Sequence, residues 1–73
     1  MAKKNNNPYL QKIGSNIKAK RTKLGYSMNE FAAMAVLSKG QLYKIEAGSN
    51  ASTILVLKRV ADALKVKIGD LVD

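Results

Sequence analysis

The chain is predicted to be all-α, a compact bundle of four to five short helices. Three observations predict this. Ser27-Met28-Asn29-Glu30 and Ser38-Lys39-Gly40-Gln41 each read S-x-x-E/Q, and apolar residues at helical spacing follow each. In such a capping box the serine oxygen accepts from the third helical N–H, while the Glu or Gln reaches back to the serine N–H. Second, apolar residues elsewhere in the chain recur three and four apart, as one face of a helix requires. Third, no alternating run is long enough for a strand, and no hairpin turn signal or internal repeat is present.

The elements follow in order. Residues 1–7 are polar and cationic without periodicity, and are expected to form a flexible basic arm ahead of a single domain over 8–73. Asn7-Pro8 is a helix-start signal, with proline at the first helical position. Leu10, Ile13, Ile17 and Leu24 then form one apolar stripe with Lys12, Lys18 and Lys23 off it, and Gly25 ends the helix in the left-handed region. The second helix is expected from Met28 to Met34 or Ala35, with Phe31, Ala32 and Ala35 inward. Ala35-Val36-Leu37 turns the chain. Ser38 caps a third helix that buries Leu42 and Ile45 and stops at Gly48. Residues 49–52 form a polar loop. Thr53 or Ser52 caps a fourth helix with Ile54, Leu57, Val60, Ala61 and Leu64 inward and Lys58, Arg59, Asp62 and Lys65 outward. Residues 66–72 read as a short loop and a last helical turn.

Composition excludes several kinds of function. Cysteine and histidine are absent, which removes disulfides, thiolate metal sites and the usual general base. The five acids, Glu30, Glu46, Asp62, Asp70 and Asp73, include no pair resembling a catalytic dyad. An enzyme is not expected, nor a cofactor, nor a small-molecule ligand. The formal net charge of +8 points to a polyanion. Lys3, Lys4, Lys12, Lys18, Lys20, Arg21 and Lys23 all precede the first acid, so the N-terminal third is purely cationic. No stretch approaches the roughly 18 apolar residues of a membrane span. The N-terminus has no apolar signal region either, so a cytoplasmic location is expected.

Residues 28–47 therefore read as two short helices meeting at a tight turn, with small Ala32 where they cross. The exposed edge of the second carries Lys39, Gly40, Gln41, Tyr43 and Lys44. A helix of this kind suits the DNA major groove. At this point the chain resembles the Cro/C1-type (XRE-like) helix-turn-helix family of phage and bacterial repressors. The likeness runs over about residues 17–71. It rests on Ile17-Lys18-x-x-Arg21-x-x-x-Gly25-x-Ser27, Glu30-Phe31-Ala32, Leu37-Ser38-x-x-x-Leu42-x-x-Ile45-Glu46-x-Gly48 and Leu57-x-x-Val60-Ala61-x-Ala63-Leu64-x-Val66, ending at Leu71.

The resemblance implies a lambda-repressor-like domain of five helices that binds double-stranded DNA as a homodimer on a palindromic site. It places Lys39, Gly40, Gln41, Tyr43 and Lys44 at base-reading positions. Lysine donates to guanine, and glutamine can bond bidentately to adenine. It places Ser27, Met28, Ser38, Ser49, Asn50 and Ser52 at phosphate-contacting positions, and makes Arg21 and Glu46 a structural salt bridge. Leu55, Val56 and Val72 lie off the inner stripes and are the expected dimer interface.

Departures from the family pattern are also visible. Met28 stands where a glutamine usually braces a phosphate. Val36 stands where the turn usually holds glycine, which predicts strain or an altered turn. Gly40 lies inside the reading helix, and Ala51 replaces a loop proline. Met28 and Val36 leave open a second reading, a protein-interaction module of the same fold such as an antitoxin or coactivator-like domain. A cationic membrane-surface helix ranks third, because the capping boxes and further apolar stripes argue for a packed domain.

Overall fold

The computed structural model describes residues 8–49 and 53–72. Among them run five helices and no strand: α1 (Pro8–Lys23), α2 (Met28–Met34), α3 (Lys39–Glu46), α4 (Ile54–Leu64) and α5 (Ile68–Val72). The expected arm at 1–7 and loop positions Asn50, Ala51 and Ser52 lie outside the described residues.

Both capping boxes are formed. Ser27 Oγ accepts the Glu30 N–H at 3.1 Å, and Glu30 Oε1 accepts the Ser27 N–H at 2.9 Å. Ser38 Oγ accepts the Gln41 N–H at 3.0 Å, and Gln41 Oε1 accepts the Ser38 N–H at 3.0 Å. Thr53 caps α4, its hydroxyl oxygen accepting from the Val56 N–H at 3.2 Å. At α5 the Asp70 carboxylate accepts the Lys67 N–H at 3.0 Å.

The other ends of α1 to α4 share one closing motif. A residue in the left-handed region donates its N–H to the carbonyl three residues back, and the next N–H reaches five back. The pairs are Gly25 to Thr22 with Tyr26 to Arg21, and Val36 to Ala33 with Leu37 to Ala32. Gly48 to Ile45 with Ser49 to Lys44, and Lys65 to Asp62 with Val66 to Ala61, repeat it. Two of these left-handed positions are not glycine: Val36 has φ 58° and Lys65 has φ 61°. The turn holds Val36 in the left-handed region, so the expected strain is present. Its β-branched side chain is 73% exposed and gains little packing in return.

The core is Ile17, Phe31, Ala32, Ala35, Leu42, Ile45, Leu57, Val60, Ala61, Leu64 and Leu71, with Tyr26 stacked on Phe31 at 6.2 Å between ring centroids. Two residues assigned inward by periodicity are exposed instead. Leu24 lies beyond the last helical residue of α1, where the chain reverses, and is 53% exposed. Ile54 is the first residue of α4 and is 69% exposed, whereas Leu57 and Val60 further along the helix are buried. Arg21, one turn after Ile17, takes the buried place on α1.

α1 and the end of α3 meet backbone to backbone. A Cβ on Gly14 would stand 2.5 Å from the carbonyl oxygens of both Ile45 and Glu46. A Cβ on Gly48 would stand 2.7 Å from the Gln11 Cα. Beside this contact Arg21 forms a two-pronged pair with Glu46, Nε to Oε2 at 2.7 Å and Nη2 to Oε1 at 3.0 Å. Its third nitrogen, Nη1, donates to the Tyr26 carbonyl at 2.8 Å, just ahead of the α2 cap. The two side chains are only 8% and 5% exposed. Hydrogen bonding to Glu46 raises the Arg21 pKa above its ordinary value against the opposing effect of burial. The stabilisation carried by that raised value is complete below the unfolded guanidinium pKa and is lost only as pH rises through the folded one. Asn16 completes the framework, its amide donating to the Leu71 carbonyl at 2.8 Å and tying α1 to α5.

Two predictions follow from this packing. Glu46→Gln leaves a buried guanidinium without its counter-charge and should cost on the order of 3–5 kcal/mol. The double change Arg21→Met with Glu46→Leu should recover most of that loss; urea melts in which single and double variants fall equally would refute a charge-pairing role. Val36→Gly should raise stability by about 1 kcal/mol, strain relief exceeding the added chain entropy. In a thermal melt that is about 4–8 °C for a domain this small; a lower melting temperature would rule out strain at this turn.

Candidate nucleic-acid interface

α3 is a short helix with two unlike sides. Leu42 and Ile45 are buried, while Lys39, Gly40, Gln41, Tyr43 and Lys44 are exposed. The capping box at Ser38 decides how the first turn is presented, because Gln41 belongs both to the box and to the exposed edge. Its carbonyl oxygen is turned back to the Ser38 N–H, and its NH₂ group remains to donate outward.

The two boxes differ in charge. At α2 the box is closed by the Glu30 carboxylate, which sets a negative charge against the positive end of its own helix. At α3 it is closed by a neutral amide, so the positive end of α3 is not offset by its own cap. Lys39 and Lys44 stand on the same helix. An anionic partner is therefore favoured at the start of α3 more than at the start of α2.

Gly40 touches nothing that requires a glycine. A Cβ there would meet only Ser38 Oγ, at 4.0 Å, and its φ is not in the left-handed region. Beside α3 lies an open groove of about 370 Å³ lined by Lys18, Arg21, Met28, Tyr43, Glu46 and Ala47. Met28, half-buried, packs its thioether against the core and forms one wall. Tyr43 and Lys18 bring a phenol and an ammonium to the same groove. The family pattern includes Lys18 without giving it a contact; its place beside Met28 and Tyr43 appears only where the groove is formed.

Ser27 and Ser38 both use their oxygens as cap acceptors and keep their hydroxyl protons. Ser49 turns its hydroxyl to the Lys44 carbonyl at 3.3 Å and its N–H to the same oxygen at 3.1 Å. With both donors committed it closes α3. Asn50 and Ser52 lie outside the described residues. Arg21 and Glu46 sit inside the molecule, at the floor of the groove.

Among the described residues each acid has a partner within the chain. Glu46 pairs with Arg21, Asp62 with Lys58 at 3.7 Å, and Glu30 and Asp70 each accept a helix-start N–H. Among the described residues Lys12, Lys18, Lys20, Lys23, Lys39, Lys44, Arg59, Lys65 and Lys67 are left with no carboxylate partner. Also among the described residues, no group of acids could hold a metal ion, and no helix is long and apolar enough to cross a membrane. Of the expected dimer residues Leu55 is exposed, next to exposed Ile54, whereas Val56 and Val72 are half-buried.

The same arrangement is found in known proteins. A family model described as helix-turn-helix matches residues 17–71. The transcriptional regulator SlrR of Bacillus subtilis (strain 168) is 37% identical over 62 residues, covering 84% of this chain and 41% of SlrR. The chain thus spans less than half the length of that relative. Among solved structures, the biofilm master regulator SinR in complex with DNA superposes with a TM-score of 0.80 at 35% identity, over 84% of this chain and 98% of that one. SinR is likewise a Bacillus subtilis protein. The restriction-modification controller protein C.AhdI from Aeromonas hydrophila shares the fold, with a TM-score of 0.82 at 24% identity over 85% of this chain and 94% of its own.

Because the protein interior makes no demand on Gly40, Gly40→Ala should stabilise α3 by about 1 kcal/mol. A thermal melt checks this, and a decrease would show that the fold itself needs the glycine.

Proposed function

The chain belongs to the Cro/C1-type (XRE-like) helix-turn-helix family, matched over residues 17–71, and from that membership we propose that it is a sequence-specific DNA-binding transcriptional regulator. Its family works by binding and not by catalysis. In this reading α3 enters the major groove of duplex DNA, and the regulator acts as a repressor by occupying its site in the cytoplasm, where a DNA without a nuclear envelope is found.

The observation that carries the proposal is the exposed edge of α3. Lys39, Gln41 and Lys44 project from a helix whose opposite side is locked into the core, and whose positive end is capped by a neutral group. Gly40 lets the backbone approach the base edges. Lys18 and the Tyr43 hydroxyl, flanking Met28, take over phosphate anchoring at a position where a methionine cannot donate. The Ser27 hydroxyl and the N–H groups at the head of α2 assist, against the opposing charge of Glu30. The remaining unpaired cations neutralise phosphates along the duplex.

A homodimer suits this reading. One short helix reaches only a few base pairs, and two-fold pairing doubles the site. Ile54 and Leu55 form an exposed apolar patch at the start of α4 on which two copies can meet isologously. One observation favours the second reading, a protein-interaction module: Met28 is packed against the core and leaves α2 without a polar side-chain anchor.

Lys44→Ala should weaken binding to the preferred duplex by roughly 1–3 kcal/mol and relax preference at one base pair. Titrations over a range of salt concentrations should show a steep dependence, on the order of 10³-fold or more between 50 and 200 mM for six or more phosphate contacts. Equal weakening on all sequences would make Lys44 a phosphate contact. No binding to any duplex by the folded chain would leave the interaction module as the surviving reading.

A further inference from the structure

We infer that the half-site read by α3 is rich in guanine, because its reading edge presents hydrogen-bond donors and withholds the one acceptor that glutamine would bring. This rests on α3 being the reading helix, as proposed above.

Glutamine reads adenine by using both ends of its amide at once, the oxygen accepting from N6 and the nitrogen donating to N7. In this chain one lone pair of the oxygen is already engaged, and the box draws the oxygen back toward its own helix start. Gln41 Oε1 accepts the Ser38 N–H at 3.0 Å while the Gln41 N–H is held by Ser38 Oγ at 3.0 Å. An N–H can be accepted only by the oxygen, so the chemistry of the box fixes which way the amide faces. The oxygen points back at its own helix start, and the NH₂ group is the part left for an outside partner. Turning the amide outward would open the box and leave the Ser38 N–H without an acceptor, at a place DNA would cover. Unpaired buried donors of that kind are costly.

The neighbours add mostly donors. Lys39 and Lys44 are donors only, and Gly40 has no side chain. Ser38 Oγ already takes a bond from Gln41. Tyr43, one turn after Lys39, brings the one neutral hydroxyl of the edge and also lines the groove with Lys18 and Met28. Glu46, the acid at the far end of α3, is held by Arg21 with both carboxylate oxygens in use.

Base edges sort against such a surface. Guanine shows two acceptors in the major groove, N7 and O6. Adenine shows one acceptor and an amino donor, cytosine shows an amino donor, and thymine shows one acceptor beside a methyl. Donors facing cytosine would set N–H against N–H, and donors facing adenine or thymine would find a single acceptor. Facing guanine, each finds an acceptor. The capping box, a device for starting a helix, thereby also filters the base.

The experiment is selection of bound duplexes from a random pool, run with the unaltered chain and with Gln41→Glu. Glutamate closes the same S-x-x-E box, so the melting temperature should hold, while the outward NH₂ group is replaced by an acceptor. The unaltered chain should enrich guanine at two or more positions of each half-site. Substituting those guanines by 7-deazaguanine, which lacks N7, should lower affinity about tenfold or more, whereas inosine, which keeps N7 and O6, should leave it nearly unchanged. Gln41→Glu should lose about tenfold on that site and select cytosine at one position. Adenine at the Gln41 position, or an unchanged preference in the glutamate variant, overturns the inference while leaving DNA binding intact. Failure of the folded chain to enrich any sequence overturns the DNA-reading proposal beneath it.

Discussion

Between Gly14 of α1 and the last carbonyls of α3 there is no room for a side chain, and the same holds between Gly48 and Gln11. Two helices that touch through their backbones are held at one separation and one angle, since there is no side-chain rotamer to absorb a shift. Arg21 then pins the contact from the side, bonding to Glu46 at the end of α3 and to the Tyr26 carbonyl ahead of α2. Asn16 holds α5 to the same helix. α1 is thus the frame on which the other elements are mounted, and the direction of α3 follows from where α1 lies.

What α3 presents is governed by its own first turn. The amide in the Ser38 box and the carboxylate in the Ser27 box perform the same structural task, yet they leave opposite electrostatic surroundings at the two helix starts. The turn between them runs through Val36 in the left-handed region, a conformation its side chain resists. The closing hydrogen bonds of α2 hold it there, so the cost is borne by the junction that sets α2 against α3.

Much of this was legible in the chain. Both boxes, the bounds of α2 and α3, and the buried triplet Phe31, Ala32 and Ala35 follow from local rules of capping and periodicity. The misses share one cause. Leu24 is on the apolar stripe by spacing, but the helix stops one residue earlier, and periodicity holds no information about where packing ends. Ile54 fails for the same reason at the other end, heading a helix whose first turn outruns its neighbours. Arg21 reads as a polar interruption until Glu46, distant in the chain, is brought beside it; here only the family likeness pointed to the pair. Gly14 carries no local signal at all, because its meaning lies in the carbonyls of another helix. In the candidate site, the exposed positions on α3 were readable from the amphipathic pattern. The inward turn of the Gln41 oxygen was implicit in the box. Lys18 gains its place only once the groove beside Met28 exists.

The backbone contact at Gly14 and Gly48 also separates mounting from message. Lys39, Gly40 and Lys44 take no part in holding α3 in place; that task falls to Leu42, Ile45, Glu46 and the two glycines across the contact. Substitutions along the exposed edge can therefore accumulate in a lineage without moving the helix that bears them. A duplicated copy of this domain is free to drift toward a new address on the chromosome while its scaffold stays put. Gln41 is the exception, since it is exposed on that edge and also closes the Ser38 box, and it is where such divergence meets resistance.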